Sequence, residues 1–311
     1  MNNEDENRSA PGDGPRDPEE LEASATAGTA EISARTTLGA VHLSVSDLER
    51  SVNYYLGDIG LALLHRDEAR ASLGSGTREL LVLEEEPGAP PAGGHTGLYH
   101  FALLVPGRVD LARWLSHAAR DRVQITGASD HFVSEALYLS DPDGHGIEIY
   151  WDRPRAVWEG QVAARMTTLP IDIPGLLGEL EDPPSEPFDG LPAATVMGHV
   201  HLKVTAIPQT IAFYKDTLGF GLMARFGGQA AFLAAGGYHH HLGANTWESA
   251  GAGPAPRRTA TLRHLTIILP DASERDRVLG RVERAGQAIE TGDAGPMVLD
   301  PSGNRVLLAL P

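Results

Sequence analysis

"LYHFALLVPGRVDLARWLSHA", residues 98–118, opens on a short β-rich run, passes a proline-containing turn and continues as an amphipathic helix. Three other stretches can be laid over it: "LGAVHLSVSDLERSVNYYLGDIGL" from Leu38, "MGHVHLKVTAIPQTIAFYKDTLGF" from Met197 and "LRHLTIILPDASERDRVLGRV" from Leu262. A pattern that returns four times is the signature of a repeat architecture. Leu48, Val52, Tyr55 and Leu56 fall on one helical face, as do Ile211, Phe213, Tyr214 and, nearly, Leu218. Short strands follow each helix, for example Ala136–Ser140 and Gln229–Ala234. Each unit therefore reads as a βαβββ module. The fold class predicted is α+β, with four modules forming two cupped mixed-sheet barrels whose concavities suit ligands.

Between the modules the composition shifts. Residues 1–36 are rich in Pro, Gly, Ser and acids and are predicted to be a disordered acidic arm. Residues 153–192, with "IDIPGLLGEL" and "LEDPPSEPFDGLP", read as a linker holding one or two helical turns. That leaves 37–152 and 193–311 as N-terminal and C-terminal module pairs. The 311 residues are 41% hydrophobic and 22% charged, which is ordinary for a globular protein. The net charge of -17 argues against nucleic acid and anionic lipid as partners. No apolar run reaches the roughly 20 residues that span a bilayer, and the expectation is a cytoplasmic protein. Because there is no cysteine, any metal must be held by nitrogen and oxygen donors.

In register, the module starts place Ala40, His100, His199 and His264 at one strand position. The stretch "SEALYLSDPDGHGIEIYW", residues 134–151, sets one carboxylate, Glu148, between Ile147 and Ile149. Burying it without a partner is costly, and a divalent ion is the partner this register supplies. Overlaying the last strands at their Gly turns aligns Glu148 with His241 and Leu307. If modules one and two share a cup, the third ligand would have to be His42, displaced by ~6–7 Å of strand rise. If modules two and three share a cup, His100, Glu148 and His199 complete a two-histidine, one-carboxylate set directly, and this pairing is favoured. His264, without a matching carboxylate, reads as structural.

The repeat pattern resembles the vicinal oxygen chelate superfamily of glyoxalase I, bleomycin-resistance proteins and extradiol dioxygenases. Within it, the two-domain catechol 2,3-dioxygenases are most alike, through "GLYHFALLVP", "SEALYLSDPDGHGIEIYWDRP", "GHVHLKV" and "GGYHHHLGANTW". The extradiol signature runs through His131, Leu137, Tyr138, Asp141, Pro142, Gly144 and Glu148, with Ser129 departing from it. The resemblance implies meta cleavage of a catecholic substrate by O2 at an Fe(II) site, Mn(II), Ni(II) and Zn(II) being alternatives. It places His131 and Tyr138 beside the metal, against the diol oxygens. It also implies an acid and base histidine from 239–241. Strand alternation groups His239 with His241 and sets His240 apart. Comparison of the strand favours His240, the module register favours His241, and His241 is placed slightly ahead with His239 structural. The competing readings are a glyoxalase-like isomerase or lyase using His100, Glu148, His199 and His241, and a non-catalytic binding protein. A homo-oligomer is left open.

Overall fold

In the computed structural model the described residues are 31–185 and 187–311. The chain forms four βαβββ modules, as the repeat predicts. Module one holds β1 (Thr37–Leu38), β2 (Val41–Val45), β3 (Ala62–Arg66), β4 (Arg70–Ser75) and β5 (Arg78–Glu85). Module two holds β6 (Gly97–Leu104), β7 (Gly127–Asp130), β8 (Ser134–Ser140) and β9 (Gly146–Asp152). After β10 (Leu169–Pro170), module three holds β11 (Val196–Lys203), β12 (Gly221–Phe226), β13 (Ala230–Ala234) and β14 (Leu242–Asn245). Module four holds β15 (Leu262–Ile268), β16 (Ile289–Gly292), β17 (Gly295–Leu299) and β18 (Arg305–Ala309).

Two nine-stranded mixed sheets result. One runs β10-β7-β8-β9-β6-β11-β14-β13-β12; the other runs β16-β17-β18-β15-β2-β5-β4-β3, with β1 beside β15. The sheets thus join module two to module three and module four to module one. The antiparallel seams β6/β11 and β15/β2 are equivalent, with His100 opposite His201 in one and His264 opposite His42 in the other. Modules adjacent in sequence are joined by side chains instead. The module-one helix, Leu48–Tyr54, is capped by Asp47 and ends in a wider turn over Tyr55–Ile59. That turn aims the Tyr55 hydroxyl at Asp141, whose other oxygen accepts the Asp143 and His145 amides and shapes the turn before β9. Tyr214 and Asp300 repeat the device between modules three and four, with the amides of Ser302 and Asn304.

The core lies between sheets and helices, where Tyr55, Phe101, Trp114, Ile147, Ile149 and Tyr214 are almost fully buried. Leu56, expected on the buried face, is half-buried because the wider turn rotates it outward. No helix among the described residues is long and apolar enough to cross a membrane.

One segment assignment needs correction. Residues 1–30 lie outside the described residues, but 31–36, assigned to the arm, are docked. The Glu31 and Ile32 amides donate to the Gly219 carbonyl, the Ser33 amide donates to Glu274, and Ile32 and Thr36 are buried. The linker holds the expected helical turn, Ile173–Leu177 capped by Asp172, and adds β10, which pairs with β7. Burial of Trp158, Val162, Met166 and Leu176 offsets its ordering entropy.

Candidate metal centre

Alternation along three adjacent strands of the first sheet builds the site. On β9, Ile147 and Ile149 enter the core while Glu148 lies on the opposite face, level with Ala102 of β6 and Tyr138 of β8. His100 comes from β6 and His199 from β11 across the seam. All three are buried, and their donor atoms converge. Glu148 Oε2 is 3.1 Å from His100 Nε2 and 3.1 Å from His199 Nε2, and the two nitrogens are 3.2 Å apart. It is the sole such cluster of three or more His, Asp or Glu among the described residues.

That triangle is the fit expected of a metal site. Three donors at about 2.1 Å from a first-row divalent ion, mutually at right angles, stand about 3.0 Å apart. The electrostatics agree. Burial by itself would push the Glu148 carboxyl up, but His199 and the hydrogen bonds from both histidines outweigh it and hold it well below the ordinary range. Burial holds His199 below its ordinary value, partly opposed by Glu148. A carboxylate facing the Nε2 atoms of two imidazoles is a ligand set, and iron, manganese, nickel and zinc all accept it.

Beside the donors lies a cavity of about 20 Å³, lined in part by His131, Tyr138, Met166, Phe226, Phe232 and His240. A cleft of about 350 Å³ reaches His100 and Tyr138 from another side, past Thr126, Ser129 and Lys203. His131 Nδ1 is 2.9 Å from the Thr167 carbonyl oxygen, which only accepts. Nδ1 therefore donates to it, and Nε2 lies 2.6 Å from the Tyr138 hydroxyl. Met166, Thr167 and Thr168 come from the segment read as a linker, and nothing local in the sequence ties them to the site.

The structure places the histidine run differently from the sequence reading. Residues 235–241 form a turn, with Gly236 and Gly237 at φ of 60° and 67°, and β14 starts only at Leu242. Strand alternation therefore does not apply to 239–241. His240 lines the cavity, its ring 4.2 Å from that of His199. His241 instead lines a separate cavity of about 500 Å³ with Leu38, Met197 and Ile268, and its Nδ1 accepts the Ala235 amide. That cavity is the larger one, but it holds none of the three donors. The register error is one of two residues: Phe101 pairs with Ile147 and Val200 pairs with Leu242, so Gly243 is the counterpart of Glu148. The counterparts in the other sheet are Val82 and Leu307.

His201 went unrecognised, although its His-x-His spacing from His199 puts both on one face of β11. It packs against His100, Tyr99 and Trp247, and a side chain at Gly243 would strike its ring. Burial, then the neighbouring His100 and His199, holds it well below its ordinary value.

The second sheet keeps the seam histidines without the carboxylate. His42 and His264 stack at 3.9 Å. His42 is lowered to about 3 by burial, His264 and nearby arginines, and His264 to about 4 by burial and arginines. Both are then neutral in the fold but take up protons near pH 6.5 when unfolded. The unfolded state binds more protons as pH falls below 6.5, so stability is expected to decline from there toward pH 4. His42 would contribute at most about 1.4 kcal/mol per pH unit and the more exposed His264 less, because water screens it. Urea midpoints at pH 7 and pH 5 should differ less in a His42→Leu, His264→Leu double variant.

The sequence pattern of the Glyoxalase/Bleomycin resistance protein/Dioxygenase superfamily matches residues 37–149 and 196–308. The chain belongs to this superfamily. It is 43% identical over 272 residues to the catechol-2,3-dioxygenase of Bacillus subtilis (strain 168), a match covering 86% of this chain and 94% of that protein. The chain is thus a catechol-2,3-dioxygenase-like enzyme of the superfamily. Glyoxalase I from Zea mays shares the fold at TM-score 0.53 and 17% identity, over 88% of this chain and 92% of that one. The cppA protein of Streptococcus pneumoniae TIGR4 does so at TM-score 0.53 and 14% identity, over 91% and 100%.

Proposed function

We propose that this enzyme is an extradiol dioxygenase that opens catechol or a substituted catechol with O2, using iron(II) held by His100, Glu148 and His199. The observation that carries the reading is the buried donor triangle with the His131–Tyr138 pair on its flank. Iron(II) bound there would supply adjacent coordination positions for the diol and dioxygen and the electron transfer between them. The addition of O2 to catechol balances as a 2-hydroxymuconate-semialdehyde product.

The chain's own groups would then do the rest. Tyr138 lies opposite Glu148 on the neighbouring strand, so its hydroxyl orients a diol oxygen while His131 Nε2 holds the tyrosine proton. His240, on the other flank, takes the proton that a diol hydroxyl loses on binding. Met166, Phe226 and Phe232 form an apolar wall beside the donors. The 20 Å³ cavity has room for a water and not for a ring, so this reading has the substrate approach through the 350 Å³ cleft.

The test is anaerobic reconstitution with Fe(II), then aerobic addition of catechol and 4-methylcatechol, following the yellow product and oxygen uptake together. Product with stoichiometric oxygen uptake supports the reading; tightly bound nickel or zinc and no uptake would sink it. The isomerase alternative needs a fourth donor, and its candidate, His241, lies in the other cavity. Tyr138→Phe is expected to lower kcat by roughly 10- to 100-fold with metal content unchanged, as checked by metal analysis alongside the assay.

A further inference from the structure

Behind His240 runs a chain of hydrogen bonds that the proposed reaction does not by itself require. The Asp152 carboxylate sits 2.8 Å from His239 Nε2 through Oδ1 and accepts the Tyr238 hydroxyl through Oδ2 at 2.7 Å. Tyr238 is in turn 2.9 Å from the Tyr150 hydroxyl. His239 is fully buried, with its ring against Tyr238 and Trp158, and its Nδ1 is 2.8 Å from His240 Nδ1.

The polarity of this chain follows from donor and acceptor rules. A carboxylate only accepts, so His239 Nε2 carries a proton. Taken with this one proton, His239 has a bare Nδ1. Two bare nitrogens cannot face each other at 2.8 Å, so the proton between the rings belongs to His240 Nδ1. That leaves His240 Nε2 bare, and His240 is the ring of this chain that lines the cavity.

We propose that Asp152, acting through His239, is a positioning residue that fixes His240 in the tautomer with a bare Nε2. The inference rests on the reading of His240 as the proton acceptor. A ring so fixed takes a diol proton on Nε2 without turning over, and the positive charge that appears is answered by Asp152 one ring away. The sequence hid this because His239 reads as a packing residue and Asp152 as the end of a strand.

The test reads the tautomer directly. Protein with ¹⁵N-labelled histidine, loaded with diamagnetic Zn(II), is examined by long-range ¹H–¹⁵N correlation, His240→Gln assigning the signal. The expected wild-type result is His240 protonated on Nδ1 and bare on Nε2. An amide at 152 can donate to His239 Nε2 and reverse the chain, so Asp152→Asn is expected to move the His240 proton to Nε2. In the iron enzyme it should lower kcat by ~10²- to 10⁴-fold with little change in KM. Asp152→Glu should restore the wild-type tautomer, and Tyr238→Phe, which removes the other partner of Asp152 and the bond to Tyr150, should keep it. A wild-type spectrum with both His239 nitrogens protonated, or an unchanged His240 tautomer in Asp152→Asn, overturns the proposal. If Asp152→Asn does not fold, the wild-type spectrum still decides. Failure of the dioxygenase reading would appear separately, as an intact tautomer with no ring-cleavage product.

Discussion

Glu148→Ala is expected to weaken divalent metal binding by at least ~100-fold and to remove ring-cleaving activity with it. Glu148 Oε2 is the one anionic donor in the triangle, within 3.1 Å of both histidine nitrogens. Without it, two neutral imidazoles must hold a dication in a buried pocket. The measurement is isothermal titration of chelator-treated protein with Fe(II) under nitrogen, or with Zn(II) in air. Thermal unfolding gives a second readout, because a ligand that binds only the native state raises Tm, by an amount that grows with the logarithm of its concentration over Kd. Wild type should gain stability on metal addition and the variant should not. Leu307→Ala, the counterpart in the other sheet, should leave metal binding as it is. His199→Ala and His42→Ala make the same comparison for the strand seams: the first should lose the metal and the second retain it. Unchanged affinity in Glu148→Ala would remove this site from consideration.

Gly146→Ala is expected to produce a large structural effect from a single methyl group at the site itself. An added Cβ would stand 2.0 Å from the Tyr99 carbonyl oxygen and 3.0 Å from His100 Cβ. The carbonyl belongs to the backbone of β6 and cannot rotate away, so β6 and β9 must separate. These are the strands that carry His100 and Glu148. The expected cost is about 3 kcal/mol or more of stability, at the upper end of overpacking penalties, together with a loss of metal affinity. Gly198→Ala should act similarly through Tyr150, whose hydroxyl lies 1.8 Å from the added carbon. Gly228→Ala, with nothing within 4 Å, is the control. Urea unfolding and metal titration on the three variants decide the matter. A Gly146→Ala protein with wild-type stability and metal affinity would mean that the two strands are less tightly coupled than the contact implies.

How far the site could be read in the sequence depends on the range of the interactions concerned. His100 and Glu148 stand out because the repeat register and the cost of an unpartnered buried carboxylate are both local arguments. His201 was equally visible in principle, since two residues along a strand is one side-chain period, but it is not at the position where the modules coincide. Met166, Thr167 and Thr168 reach the cavity from a segment whose composition says only that it connects. Phe226 and Phe232 look like ordinary core residues until the sheet curls.

The sequence by itself determined the four βαβββ modules, the helix and strand identities within them, and the chemical types of the candidate ligands. All of these follow from side-chain periodicity and turn residues acting over a few positions. The ligand positions favoured modules two and three sharing a cup, but only the tertiary structure decided which modules share a sheet, because the β6/β11 and β15/β2 seams join strands far apart in sequence. It also decided that His240 rather than His241 meets the cavity. Two glycines in left-handed conformations turn the chain there and break the alternation on which a sequence argument depends.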